Sequence, residues 1–286
     1  MERMERPLTM IDFCHIAPTP HLDLVKDRKT HLILAHLVES DPKYAKFYAD
    51  LKKNRRGLTY ILDNSAFEMY KQGREMYPSQ NLIDMGERVD ADYIVMSDYP
   101  GQQGQRTISA ACYMAPQLRE AGFGTFFVPQ SSIGHDRDYI ETALWASRIH
   151  HVDYIGLSIL GIPNAYGVEK DNKLQRFMSR WKMMTKLARV GFFGNCILNK
   201  KKIHMLGMVD GPNEISLVKH FNIDTWDSSA AIWTGLNGIR FDKSPTGLID
   251  GKFEKEVDFD FKCEDNSLID LALDNMEYID RLCSDE

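Results

Sequence analysis

A single (β/α)8 barrel is the fold class this sequence predicts, and three observations carry it. Eight short apolar runs, rich in β-branched and aromatic residues, recur along the chain. Most are continuously apolar rather than alternating, as suits parallel strands covered on both faces. Segments long enough for helices separate them, and 286 residues is close to the roughly 250 of one such barrel.

The runs are Met10 to Ile16, His31 to Ala35, Leu58 to Leu62, Asp92 to Met96, Gly124 to Val128, Val152 to Leu157, Ile203 to Gly207 and Ile223 to Trp226. Between them, Pro78 to Glu87 and Ala110 to Ala121 read as helices. Phe177, Trp181, Met184 and Ala188 fall on one helical face that Gly191 ends. Further on, Phe253, Val257, Phe259 and Phe261 alternate at period two from Lys252 onward, which predicts an extra strand or hairpin outside the barrel. Ser267, with Asp270 three positions on, reads as the N-cap of a last helix. Its Leu268, Leu271, Met276, Ile279 and Leu282 would pack on the barrel. No repeat, low-complexity tract or linker divides the chain. One domain is expected over 1–286, with the barrel over about 10–245 and a C-terminal extension over about 246–286.

No stretch of about 18 apolar residues is present to span a bilayer. The charged start, Met1-Glu-Arg-Met-Glu-Arg-Pro, lacks the apolar run of a secretory signal. Five scattered cysteines without a CxxC spacing indicate neither a zinc site nor a disulfide framework, and suit the reduced thiols of a cytosolic protein. A net charge of −6 argues against indiscriminate nucleic-acid binding. Lys52-Lys-Asn-Arg-Arg56 and Lys200-Lys-Lys202 remain candidate basic strips.

In βα units the loops after the strands gather at one end of the barrel, where the site lies. His15, His36, Asp63, Asp98, Gln130, Gly156 with Ser158, Met208 and Asp227 would converge there. Asp63 and Asp227 each end an apolar run and precede small residues that let a ligand approach. Two such acids suit a double displacement, in which one attacks and the other moves protons. A metal-dependent hydrolase drawing on His15, His21, His36, Asp63 and Asp227 would be expected to show an HxH or HxxxH pair; neither is present near His15.

The fragments Asp63-Asn-Ser-Ala-Phe67, Ala91 to Asp98, Phe127-Val-Pro-Gln130, Tyr154-Ile-Gly-Leu-Ser158, His204-Met-Leu-Gly207 and Ile223-Asp-Thr-Trp-Asp227 form an ordered series. In that order they resemble the strand-end motifs of tRNA-guanine transglycosylases, over roughly residues 10 to 235. The resemblance implies a β/α barrel with Asp227 as nucleophile and Asp63 as general acid/base. It places Asp98 and Gln130 where the heterocycle is read, with the Gln amide donating to its carbonyl. Gly156 and Leu157 stand beside the 7-substituent, and Phe67 and Leu206 sandwich the base. No metal or redox cofactor is implied.

The family's C-terminal zinc module has no counterpart after Asp227, and Ser228-Ser-Ala-Ala-Ile-Trp233 replaces its Pro- and Arg-bearing stretch. In both respects the chain looks like the zinc-free, phage-type DNA 7-deazaguanine transglycosylases. The implied partners are guanine-containing DNA and a free 7-deazaguanine base, with tRNA less favoured and no membrane. The implied purpose is protection of phage DNA from restriction in the host cytoplasm.

Overall fold

The eight apolar runs form eight strands, each within a residue or two of its expected bounds. They are β1 (Asp12–His15), β2 (Thr30–Leu34), β3 (Thr59–Asp63), β4 (Tyr93–Val95), β5 (Gly124–Phe127), β6 (Tyr154–Ser158), β7 (Lys202–Leu206) and β8 (Thr225–Ser228). The structure, a computed structural model, describes residues 10–169, 172–208, 211–241 and 256–284. Every ladder is parallel, in the order β1-β8-β7-β6-β5-β4-β3-β2. β1 and β2 lie side by side without a ladder, and the Thr30 hydroxyl donates to Asp12 across that seam. The result is a nearly closed (β/α)8 barrel.

Aspartates placed just before alternate strands staple the barrel at its N-terminal end. Asp92, ahead of β4, accepts from Tyr60 N in β3 at 2.6 Å. Asp153, ahead of β6, accepts from Thr125 N in β5 at 2.9 Å, and Asp224, ahead of β8, from Ile203 N in β7 at 2.8 Å. Each carboxylate thereby satisfies a main-chain donor at a strand start.

The helices are α1 (Ala35–Ser40), α2 (Pro42–Asn54), α3 (Ala66–Gln72), α4 (Ser79–Val89), α5 (Gly104–Glu120) and α6 (Asp136–Arg148). α7 (Gly161–Ala165), α8 (Lys173–Arg189), α9 (Phe192–Leu198), α10 (Asn213–Val218), α11 (Ala230–Leu236) and α12 (Asn266–Cys283) follow. α4 and α5 cover the two expected helical segments. The inward face of α8 differs from expectation. Arg180, Met183, Met184 and Leu187 are buried, while Trp181 is 37% exposed and Ala188 is exposed. The cause is the buried Arg180, whose Nε pairs with Glu214 at 3.0 Å. Its Nη1 donates to Gly207 O at 2.8 Å and its Nη2 to Leu157 O at 3.1 Å, so a cation occupies a face that hydropathy alone assigns to solvent.

Both basic strips lie at strand N-terminal ends, opposite the mouth, and four of their cations are engaged there. Lys52 reaches Leu58 O and Asp92, and Arg55 donates to the carbonyls of Lys26, Asp27 and Arg28. Lys201 donates to Ile149 O and Val152 O, and Lys202 stands over the Tyr93 and Tyr154 rings. Neither strip forms a groove beside the strand C-terminal ends.

The expected strand in the tail is not formed where it can be seen. Residues 256–265 are irregular, while Lys252 and Phe253 lie outside the described residues. The alternation has another cause. Val257, Phe259 and Phe261 are half-buried and their neighbours are exposed, because one side of an irregular segment with a turn at 258–261 lies on the barrel. Phe259 O accepts from Thr19 N at 2.8 Å, His21 accepts from Cys263 N at 2.9 Å, and Phe261 meets Trp233 edge-on. α12 then packs on α11 and β1 as expected, burying Met276 and Ile279. Its cap is Asp265, which accepts from Ser267 N, rather than Ser267 itself. Close helix contact requires Gly235, where a Cβ would stand 2.4 Å from Ala272 Cα.

Candidate active site

At the C-terminal ends of the strands lies a cavity of about 630 Å³, within the range of small-molecule sites. Asp63, Asp98, Gln130 and Asp227 line it, with Phe67 and Leu206. Val257 and Phe259 of the tail also line it, and Phe259 meets the His36 ring edge-on at 5.7 Å. The tail thus forms part of the cavity wall.

Strand pleating decides which expected residues arrive. Thr225 and Asp227 of β8 both contact His204 of β7, which places these side chains inside the barrel. The register pairs Cys14 with Asp227, so His15 takes the opposite phase. His15 is therefore a correction: it faces α12, where Nε2 lies 3.1 Å from Asp280, and does not line the cavity. His21 is likewise spent on the tail. Of the five groups considered for a metal-dependent hydrolase, only His36, Asp63 and Asp227 line the cavity.

Gly156 and Leu157 do not line the cavity. A Cβ on Gly156 would stand 2.4 Å from Phe126 and 2.7 Å from Leu206, so this residue lies in the packed layer below. Leu157 is fully buried and its carbonyl is engaged by Arg180. From β6 the lining residue is Ser158, whose Oγ accepts from Leu160 N and Gly161 N. Met208 and His36 line the cavity as expected.

Asp227, 5% exposed, is held by one oxygen. Oδ1 accepts from Gly207 N at 3.1 Å and lies 2.9 Å from His204 Nε2. Oδ2 makes no hydrogen bond among the described residues. Asp63 Oδ2 accepts from Ser65 N at 2.9 Å across a tight turn. Ser65 itself takes a left-handed conformation at φ 56°, unusual for a residue other than glycine. Its Oγ meets His36 N at 3.1 Å and His36 Nδ1 at 2.9 Å, which ties the β2 and β3 loops together.

The acids are electrostatically joined. Burial pushes the Asp63 carboxyl well above its ordinary range, and the charges of Glu68, Asp227 and Asp98 add to the effect against the Ser65 N–H. Burial raises Asp98 to about 6, opposed by hydrogen bonds from Asn64 Nδ2 at 2.7 Å and Gln130 Nε2 at 2.5 Å. This geometry modifies one expectation. The Gln130 amide is committed to Asp98, and its Oε1 is buried without a partner beside Gly161. A ligand carbonyl would have to be met by the second Nε2 hydrogen, or by rotation of the amide.

Sequence reasoning missed two groups of the site, one lining the cavity and one buried beneath it. Glu68, in the first turn of α3, lines the cavity beside His36. A glutamate there ordinarily reads as a complement to the helix dipole. Burial and the Asp227 charge raise it to about 7 against its own N–H and Lys71. His204 is the other, and its in-phase position with Leu206 was the available signal.

Glu68→Gln is expected to stabilise the fold by about 2 kcal/mol at pH 8, with the gain vanishing near pH 4.5. Below the ordinary value of 4.5 the group is protonated folded or unfolded, and the substitution changes no charge. Above about 7 the wild-type fold must hold an ionised group that the unfolded chain leaves in water. Denaturant melts of both proteins at the two pH values check this; equal differences would refute it.

No protein-family model matches the chain, and neither does any curated protein.

Proposed function

We propose that this barrel is a base-exchange transglycosylase that replaces guanine in DNA by a 7-deazaguanine. The observation that carries the reading is one cavity lined both by Asp227, with one carboxylate oxygen tethered and the other unbonded among the described residues, and by Asp63, whose carboxyl is raised in part by Asp227 itself. A retained configuration at the sugar needs two acids sharing one substrate, as in retaining glycosidases.

In the first displacement Asp227 Oδ2 bonds to C1′ as the C1′–N9 bond breaks, and guanine leaves with the electron pair and a proton from Asp63. In the second, the ring nitrogen of the incoming base bonds to C1′ as C1′–Oδ2 breaks, and Asp63 takes its proton. An ionised Asp98 accepts from the N–H groups of a guanine-like edge. Phe67, 51% exposed, and Leu206 offer faces for stacking, worth about 1–3 kcal/mol per base. The target base must be extruded from the duplex to reach the cavity. Lys71, which pairs with Glu256, and Arg176 are cationic residues that line the cavity among the described residues. Protection of phage DNA from restriction belongs to the same proposal.

The test is incorporation of labelled guanine, and of 7-cyano- and aminomethyl-7-deazaguanine, into DNA and separately into tRNA. Incorporation into DNA is expected, with kcat/KM for the base falling as pH drops below about 6 and Asp98 gains its proton. Incorporation into tRNA alone would move the substrate to RNA. None in either would leave a barrel that only binds a nucleobase.

A further inference from the structure

A buried polar network of the barrel interior ends on Asp227. Thr225 Oγ1 lies 2.7 Å from His204 Nδ1, and His204 Nε2 lies 2.9 Å from Asp227 Oδ1. Thr225 and His204 are both buried, and the Phe126 ring stands edge-on to the imidazole at 5.4 Å. Thr225, His204 and Asp227 thus run from the packed interior to the cavity in one hydrogen-bonded file.

We infer that His204, held in one tautomer by Thr225, is a positioning residue that selects which oxygen of Asp227 reacts and assists the departure of that carboxylate in the second displacement. The inference rests on the transglycosylase reading. An ionised carboxylate can only accept, so the ring must carry its hydrogen on Nε2. Nδ1 then has only a lone pair, and the Thr225 hydroxyl must donate to it. Each member of the file therefore fixes the direction of the next.

The backbone supplies the second tether. Gly207, at φ 67°, turns its N–H onto the same Oδ1. Its carbonyl is gripped by Arg180 Nη1 at 2.8 Å and by Trp226 Nε1 at 2.9 Å. With Oδ1 fixed from two sides, rotation of the carboxylate is suppressed and Oδ2 is the oxygen left unbonded among the described residues. When the ester forms, Oδ1 becomes its carbonyl oxygen. When C1′–Oδ2 breaks and the electron pair returns to Asp227, charge spreads onto Oδ1, where two N–H groups already point. Donors aimed at developing charge act mainly on that step.

The experiment follows exchange of labelled guanine into a guanine-containing duplex, and traps the protein–DNA adduct by denaturing quench. His204→Phe is expected to lower kcat on the order of 100-fold, leave KM for the free base unchanged, and raise the trapped fraction above wild type. His204→Gln, which can offer an amide N–H at similar reach, is expected to recover most of kcat. Thr225→Val is expected to fall between them, and carries the test with Gln if the Phe variant does not fold. Wild-type exchange with unchanged kcat in the folded variants would overturn the inference and leave the reading intact. So would equal losses in Phe and Gln with no rise in adduct. Absence of both exchange and adduct in wild type would overturn the reading, and this inference with it.

Discussion

Asp227→Asn protein is expected to lose guanine exchange by about 10⁴-fold or more while keeping its fold and its affinity for the free base. The substitution is isosteric, and the new side chain still offers Oδ1 to Gly207 N and His204 Nε2. The lost part is a carboxylate oxygen able to form and later release an ester to C1′. Base affinity should persist because Asp98 and Gln130, the groups assigned to the heterocycle, are tied to Asn64 and to each other rather than to Asp227. Nucleoside mass spectrometry of DNA after reaction with wild type and variant reads the outcome. Equal yields of modified nucleoside would show that the nucleophile lies elsewhere.

The second large effect belongs to Asp63. Asp63→Asn is expected to lower kcat on the order of 10³-fold, since an amide can neither give guanine its proton nor take one from the incoming ring nitrogen. The pH dependence should change as well. Burial and three neighbouring acids keep the Asp63 carboxyl protonated far above the usual range. Wild-type activity should therefore decline as pH rises through that raised value and the acid form is lost. In the variant this basic limb disappears, leaving the acidic limb set by Asp98 near pH 6. A variant that retains the wild-type basic limb would remove Asp63 from the proton-transfer role. The Ser65 turn makes this substitution tolerable, because the Asn carbonyl can still accept from Ser65 N.

The barrel was legible because each strand is a short, nearly unbroken apolar run, the pattern a doubly covered parallel sheet demands. Strand-end acids were legible for the same reason, since topology alone carries such positions to one face. What escaped depends on phase and on tertiary partners. His15 ends an apolar run just as Asp63 does, but it lies one residue out of phase with Cys14, which pairs with Asp227. Gly156 likewise sits one pleat too deep, under Leu206. Arg180 lies off the expected apolar face of α8, yet Glu214 and two main-chain carbonyls surround it in the interior. The basic runs at residues 52 and 200 stand out only as candidate strips, and Lys52, Arg55 and Lys201 meet carbonyls and a carboxylate at the far end of the barrel. Charge density in a sequence does not reveal which end of a strand it will neutralise.

Intact-protein mass spectrometry after denaturing quench of the full chain with a guanine-containing oligonucleotide tests the central claim most directly. An adduct of protein and guanine-depleted DNA is expected, with the added mass mapping to the peptide that contains Asp227 and absent from Asp227→Asn. Steady exchange into DNA with no such adduct, or an adduct mapping to Asp63, Glu68 or Asp98, would contradict a covalent mechanism through Asp227.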